Sequence, residues 1–178
     1  MRKKYTITYS LDEILKDVSN VNFMNGEAIT DANMLRLKTL LQDVAEDGYR
    51  ERAVRSILLA VDEVRDKLFD YIEHAAGGQV DGVWSSDAYG AKVLMTNKYY
   101  EPEDVSIVLL LPGACPYSQG GYIRNLVHDY IVNKTVADYA SFNANYAAVW
   151  LNKAEKDLDK LDVAVNRRIM VKRVMTTF

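Results

Sequence analysis

Residues 50–75 read RERAVRSILLAVDEVRDKLFDYIEHA. Within this stretch Val54, Ile57, Val61, Val64, Leu68 and Tyr71 recur at three- and four-residue steps, the period of an amphipathic helix. The stripe is wide enough to pack against two other elements. It predicts a long helix from about Arg50 to Ala75, stopped by Gly77-Gly78, since glycine accepts the left-handed conformation that ends a helix.

Upstream, Met34, Leu37, Leu41 and Val44 repeat the same period after Thr30 or Asp31, either of which can cap a helix start. Asp47-Gly48 punctuates the pair, and the two stretches predict a helical hairpin. Earlier still, Tyr5, Ile7 and Tyr9 alternate with Lys4, Thr6 and Thr8, which is strand periodicity. Ser10-Leu-Asp-Glu13 then matches a capping box, and Leu11, Ile14, Leu15 and Val18 follow at helical spacing. This first helix is expected to end near Asn20, because Asn20, Asn22, Asn25 and Gly26 form a loop signature over Val21–Ile29.

Downstream the character changes. Residues 79–90 are polar and glycine-bearing, a loop anchored by Trp84. Residues 92–100 and 105–111 are strand-like and are joined by Tyr100-Glu-Pro-Glu-Asp104, which predicts a β-hairpin unless the two strands pair elsewhere. Residues 119–141 read as a helix with Ile123, Leu126, Val127, Tyr130, Ile131 and Val136 inward. Phe142-Asn-Ala-Asn145 breaks it. A last helix covers residues 146–165, with Val149, Trp150, Ala154, Leu158, Leu161 and Val165 on one face. The expected fold is mainly α with a minor β part: a bundle of about five helices with a β-hairpin and short terminal strands or arms. It is organised as one domain with a strand or arm at 1–9, helices over 10–76, loop and hairpin over 79–112, two helices over 119–165 and a basic arm at 166–178.

Of the 178 residues, 49% are hydrophobic and 26% charged, an ordinary globular balance. A net charge of -3 argues against a protein whose main task is coating nucleic acid. The single cysteine, Cys115, permits no intramolecular disulfide, which fits a reducing compartment. No stretch reaches the roughly 18 uninterrupted apolar residues of a membrane span, and the N-terminus lacks a signal-peptide apolar run. A soluble, intracellular protein is expected.

A search for chemistry returns little. His74 and His128 stand in no metal-ligand spacing and read as structural histidines. Cys115, in a turn between Ala114 and Pro116, reads as a structural cysteine. Gly120-Gly121 opens a helix without any phosphate-loop motif around it, and reads as a start that needs small residues. The acidic groups Asp12/Glu13, Glu46/Asp47, Glu101/Glu103/Asp104 and Glu155/Asp157/Asp159 fall at helix starts, turns and solvated faces, and none suggests a carboxylate pair for acid–base work. The chain is read as a non-enzyme, with no catalytic residue, cofactor or metal.

Two features point instead to contact with partners. The terminal stretch carries Arg167, Arg168, Lys172 and Arg173 among Ile169, Val171 and Val174 with no acidic residue; β-branched residues make it an extended arm or terminal strand, whose cations read as a solvated strand edge, a protein contact or, last, a DNA-phosphate contact. Seven of the twelve tyrosines, Tyr99, Tyr100, Tyr117, Tyr122, Tyr130, Tyr139 and Tyr146, crowd the C-terminal half; tyrosine is common in cores and is enriched at interfaces because it joins an apolar ring to a polar tip. Tyr99, Tyr100, Arg167, Arg168, Ile169, Val171, Lys172 and Arg173 are the candidate partner-interface residues.

Between Val105 and Arg173 the chain carries a strand ending Leu110-Leu-Pro112 and then a helix written Leu126-Val-His-Asp-Tyr-Ile-Val132. That helix continues through Val136-Ala-Asp-Tyr139; after a break come Tyr146-Ala-Ala-Val-Trp-Leu-Asn-Lys-Ala154, Leu158, Leu161 and Asn166-Arg-Arg168. This grammar resembles the head–tail adaptor (connector) proteins of tailed bacteriophages, as encoded among neck genes of phages and prophages of gut Bacteroidota. The resemblance implies a virion structural subunit, assembled in the host cytoplasm into a closed homo-oligomeric ring of about twelve copies by head-to-tail contacts. Its partners would be the portal protein and a tail or second neck protein, with DNA passing through without specific binding. A tail terminator or other tail-completion protein is the nearest alternative. A helical DNA-binding or regulatory protein using the basic arm is the alternative from another class.

Overall fold

A computed structural model describes residues 2–27, 47–72, 103–112 and 117–166. Four helices and two strands are described: β1 (Arg2–Ser10), α1 (Leu11–Glu27), α2 (Asp47–Lys67), β2 (Asp104–Pro112), α3 (Tyr117–Tyr139) and α4 (Ala144–Asn166). Short 3-10 turns at Phe69–Tyr71 and Ala140–Phe142 follow α2 and α3. The mainly α class with a minor β part is what the periodicities predict. The expected helix at 30–47, the strand-like residues 92–100, His74, Cys115 and all eight candidate interface residues lie outside the described residues.

The strand at 105–111 pairs along its whole length with β1, antiparallel, in the register Tyr5↔Leu109, Ile7↔Ile107 and Tyr9↔Val105. The N-terminal strand is therefore closed by a strand from the middle of the chain. The alternation read from sequence sets the faces: Ile7 and Tyr9 are buried beside Val105, Ile107, Leu109 and Leu111, while Thr6 and Thr8 face out. Period two across a sheet requires this, because neighbouring side chains point to opposite faces. Among the described residues the other edge of β2 carries a single bridge, Leu109 to Ile72.

That bridge explains why α2 stops at Lys67 rather than near Ala75. After Leu68 the backbone tightens, with Tyr71 N–H and Ile72 N–H both donating to the Leu68 carbonyl at 2.8 and 3.1 Å, and Ile72 then enters the sheet edge. Phe69, Tyr71 and Ile72 suit a strand as well as a helix, and the helical period runs on past the helix's true end.

The opposite correction applies to α1. It runs on through Asn20, Asn22, Asn25 and Gly26 to Glu27, where a loop was expected. Asn22 and Gly26 continue the stripe of Leu11, Ile14, Leu15 and Val18 at helical steps, and both are buried. Asparagine costs a helix only about 0.7 kcal/mol against alanine, a penalty that Val21, packed against the core within this turn, is able to offset. Packing wins.

One core joins all six elements. α3 is its central helix and packs against α1, α2 and α4, which is why Ile123, Leu126, Val127, Tyr130, Ile131 and Val136 are all buried. α3 and α4 form an antiparallel pair. Asn143 makes the turn between them: its side-chain oxygen accepts from Tyr146 N–H at 3.2 Å and its carbonyl from Ala147 N–H at 2.9 Å, the pattern of an asparagine N-cap. On α4, Ala154, Leu161 and Val165 are buried as expected, whereas Val149 is 53% exposed. At about 100° per residue Val149 lies more than a quarter-turn from the face shared by Trp150, Ala154, Leu158, Leu161 and Val165, so strict helical spacing places it outside that face.

Candidate functional site

The polar side chains of the described residues gather along the seam of α2 and α3. The two helices run antiparallel, and their contacts form a ladder. Arg52 donates to the Asp138 carbonyl at 3.1 Å and to the Ser141 hydroxyl at 3.3 Å, with its guanidinium 5.4 Å from the Tyr139 ring centre. Ser56 donates to the Asp138 carboxylate at 2.6 Å. Glu63 accepts from the Tyr130 hydroxyl and pairs with Lys134 at 3.1 Å. Tyr130, Lys134 and Asp138 stand four residues apart on α3 and so share one face.

Beside this ladder a concave groove of about 660 Å³ opens between α2, α3 and α4. Asp62, Glu63, Asp66 and Asp138 supply four carboxylates to its wall, against the ammonium groups of Lys67 and Lys134, and Leu59 and Leu158 supply the apolar part. Leu59 is 61% exposed, a large apolar side chain standing at the groove's mouth. Burial of the Tyr130 ring raises its phenol above the ordinary tyrosine pKa; the hydrogen bond to Glu63 and the negative charges of Glu63, Asp138 and Glu155 act in the same direction. Tyr130 therefore stays a neutral donor, and the groove's character is acidic and apolar.

A second polar group lies between α3 and α4. Asp157, expected on a solvated face, is buried: Asn133 donates to one carboxylate oxygen at 2.9 Å and Lys160 to the other at 2.7 Å. The expectation failed because Glu155 and Asp159 beside it are indeed exposed, while position 157 falls on the buried arc with Ala154, Leu161 and Ala164. The carboxylate in turn raises the Lys160 ammonium's pKa by hydrogen bond and charge.

A third sits where α3 meets β1 and α1. His128 Nε2 lies 3.1 Å from Asp17 and Nδ1 lies 3.6 Å from Asp129, and the imidazole is 5.7 Å from the Tyr9 ring. Tyr9 donates its hydroxyl to the Arg124 carbonyl, and burial raises its pKa above the ordinary value. These contacts join α1 and β1 to α3. Tyr5 lies over Gly120, while Gly121 has open space above it; of the two glycines only the first needs to be small.

No cluster of metal-ligating side chains occurs among the described residues, and no described helix is long and apolar enough to cross a membrane. The groove was missed in the sequence because its carboxylates are shared between distant elements. The signals were present, as Ser56, Leu59, Glu63 and Asp66 at three- and four-residue steps and the Tyr130, Lys134, Asp138 series, but pairing them required knowing that α2 meets α3. Compared with protein-family models, with curated proteins and with solved structures, the chain matches none.

Proposed function

We propose that the chain is a non-catalytic structural subunit of a tailed-phage neck, forming a ring that joins the portal to the tail. The observation that carries this reading is the position of the Val136-Ala-Asp-Tyr139 run, part of the pattern that resembles head–tail adaptors. Val136, Ala137 and Tyr139 are buried, Asp138 holds Ser56, and Tyr139 lies under Arg52. The run is the joint that fastens α2 to the α3–α4 pair. A ring subunit needs such a joint, because load passes from neighbour to neighbour through rigid helices and not through a mobile site.

The acidic groove and the net charge of -3 favour protein contacts over DNA coating, and DNA can pass such a surface without being held. On this reading the protein belongs to the virion neck and is assembled in the bacterial cytoplasm with the portal and a tail or second neck protein.

Removal of the gene from a phage that encodes it provides the test. Full heads and finished tails that fail to join are expected. Normal joined particles would contradict the reading.

A further inference from the structure

We infer that the groove between α2, α3 and α4 receives the basic arm, residues 167–178, of a neighbouring copy of this chain. The inference rests on the ring reading and names the contact that would close it.

Charge and shape agree by position. Along the antiparallel seam Asp66 lies toward one end of the groove, a turn beyond the Glu63–Tyr130 contact, and Asp138 toward the other; Leu59 and Leu158 line the wall between. From Tyr130 to Asp138 the groove follows about 12 Å of helix, with Asp66 adding about one more turn. In an extended arm alternate residues share a face, so Arg167, Ile169, Val171 and Arg173 would point the same way. That face reads cation, apolar, apolar, cation and spans roughly 20 Å. It meets a groove with a carboxylate toward each end, Leu59 and Leu158 between, and four carboxylates in all against the two cations Lys67 and Lys134, the latter already paired with Glu63.

The neighbour's arm fits better than the chain's own. α4 ends at Asn166, whose side chain accepts from the Tyr71 hydroxyl and donates to Asp162, next to the end of α2 and so at the Asp66 end of the groove. To enter its own groove the arm would have to reverse at once. Residues 167–178 contain no glycine, proline, asparagine or aspartate, the residues that make tight reversals. An arm that continues away from its own subunit reaches the next one, and repetition of that contact is heterologous and can close a ring.

The test uses three forms of the full chain: wild type, a truncation ending at Asn166, and the groove variant Leu59→Lys/Asp66→Lys, whose two positions are exposed. A fluorescent peptide of residues 167–178 should bind the truncation saturably, at least tenfold more weakly when the groove substitutions are added, and more weakly as salt rises. Mixing the truncation, which keeps its groove, with the groove variant, which keeps its arm, should give a one-to-one pair and nothing larger. Peptide binding without pair formation would mean that the arm serves its own subunit, and would overturn the inference. Peptide affinity unaffected by the groove substitutions would overturn it as well. If wild-type rings form but the groove variant forms them equally, the inference falls and the ring reading stands. If the one-to-one pair forms but wild type never closes a ring, the inference stands and the ring reading falls.

Discussion

Tyr5 of β1 lies directly across Gly120 of α3, so that a Cβ placed on Gly120 would come 2.6 Å from Tyr5 Cε2. The Tyr5 ring approaches the helix this closely only because residue 120 has no side chain. Gly120→Ala must displace that ring and should destabilise the fold by about 1 kcal/mol, the low end of overpacking costs, since the far end of a side chain is able to shift. Gly121→Ala, with nothing within 4 Å, should be neutral or stabilise by up to about 1 kcal/mol through helix propensity. Urea unfolding of both variants separates them, and equal stabilities would show that the sheet does not sit on α3 in this way.

Asp157 ties α4 to α3 through Asn133 and carries Lys160 on its other oxygen. Asp157→Ala leaves the Asn133 amide without its acceptor and should cost about 1–3 kcal/mol. Glu155→Ala, two residues away and exposed, should change stability by less than about 0.5 kcal/mol. Thermal unfolding of the two side by side checks the contrast.

Asn22 is fully buried in α1, and neither side-chain amide atom has a hydrogen-bond partner among the described residues. An unsatisfied buried amide costs about 1–3 kcal/mol, so Asn22→Leu should stabilise the protein by an amount of that order. A loss of stability would reveal a polar partner for Asn22.

Tyr9 and Tyr130 both have raised pKa values, chiefly through burial. The unfolded chain therefore ionises them near the ordinary value, about pH 10, before the folded chain does. Their contribution is complete below about pH 10 and is lost as pH rises from there toward the folded-state values. The stability difference between wild type and Tyr130→Phe, followed by urea midpoint from pH 8 upward, should stay level to about pH 10 and then narrow. A difference that remains constant through the alkaline range would contradict the burial of the phenol.

Much of this architecture is legible in residue spacing. The β1 alternation names the face that meets β2, and the residues named by the stripes of α2 and α3 are buried, with Tyr71 half-buried. Spacing fails where a tertiary partner decides: Ile72 leaves the helical pattern to reach Leu109, and Asn22 and Gly26 stay in the helix because the core holds them. The groove was less legible still. Glu63 and Lys134 are ordinary helix-surface charges until α2 is laid against α3, and Asp157 looks like Glu155 and Asp159 until its side of α4 is known. The basic character of residues 167–178, by contrast, is a matter of composition alone.

The central claim is that this chain is built to be held by copies of itself. The mass and shape of purified or virion-derived protein, measured by native mass spectrometry and negative-stain electron microscopy, tests it most directly. A closed ring of about twelve subunits, lost when residues 167–178 are removed while the helical signal of the core persists, is the predicted result. A compact monomer at all concentrations that retards DNA in a gel would contradict it.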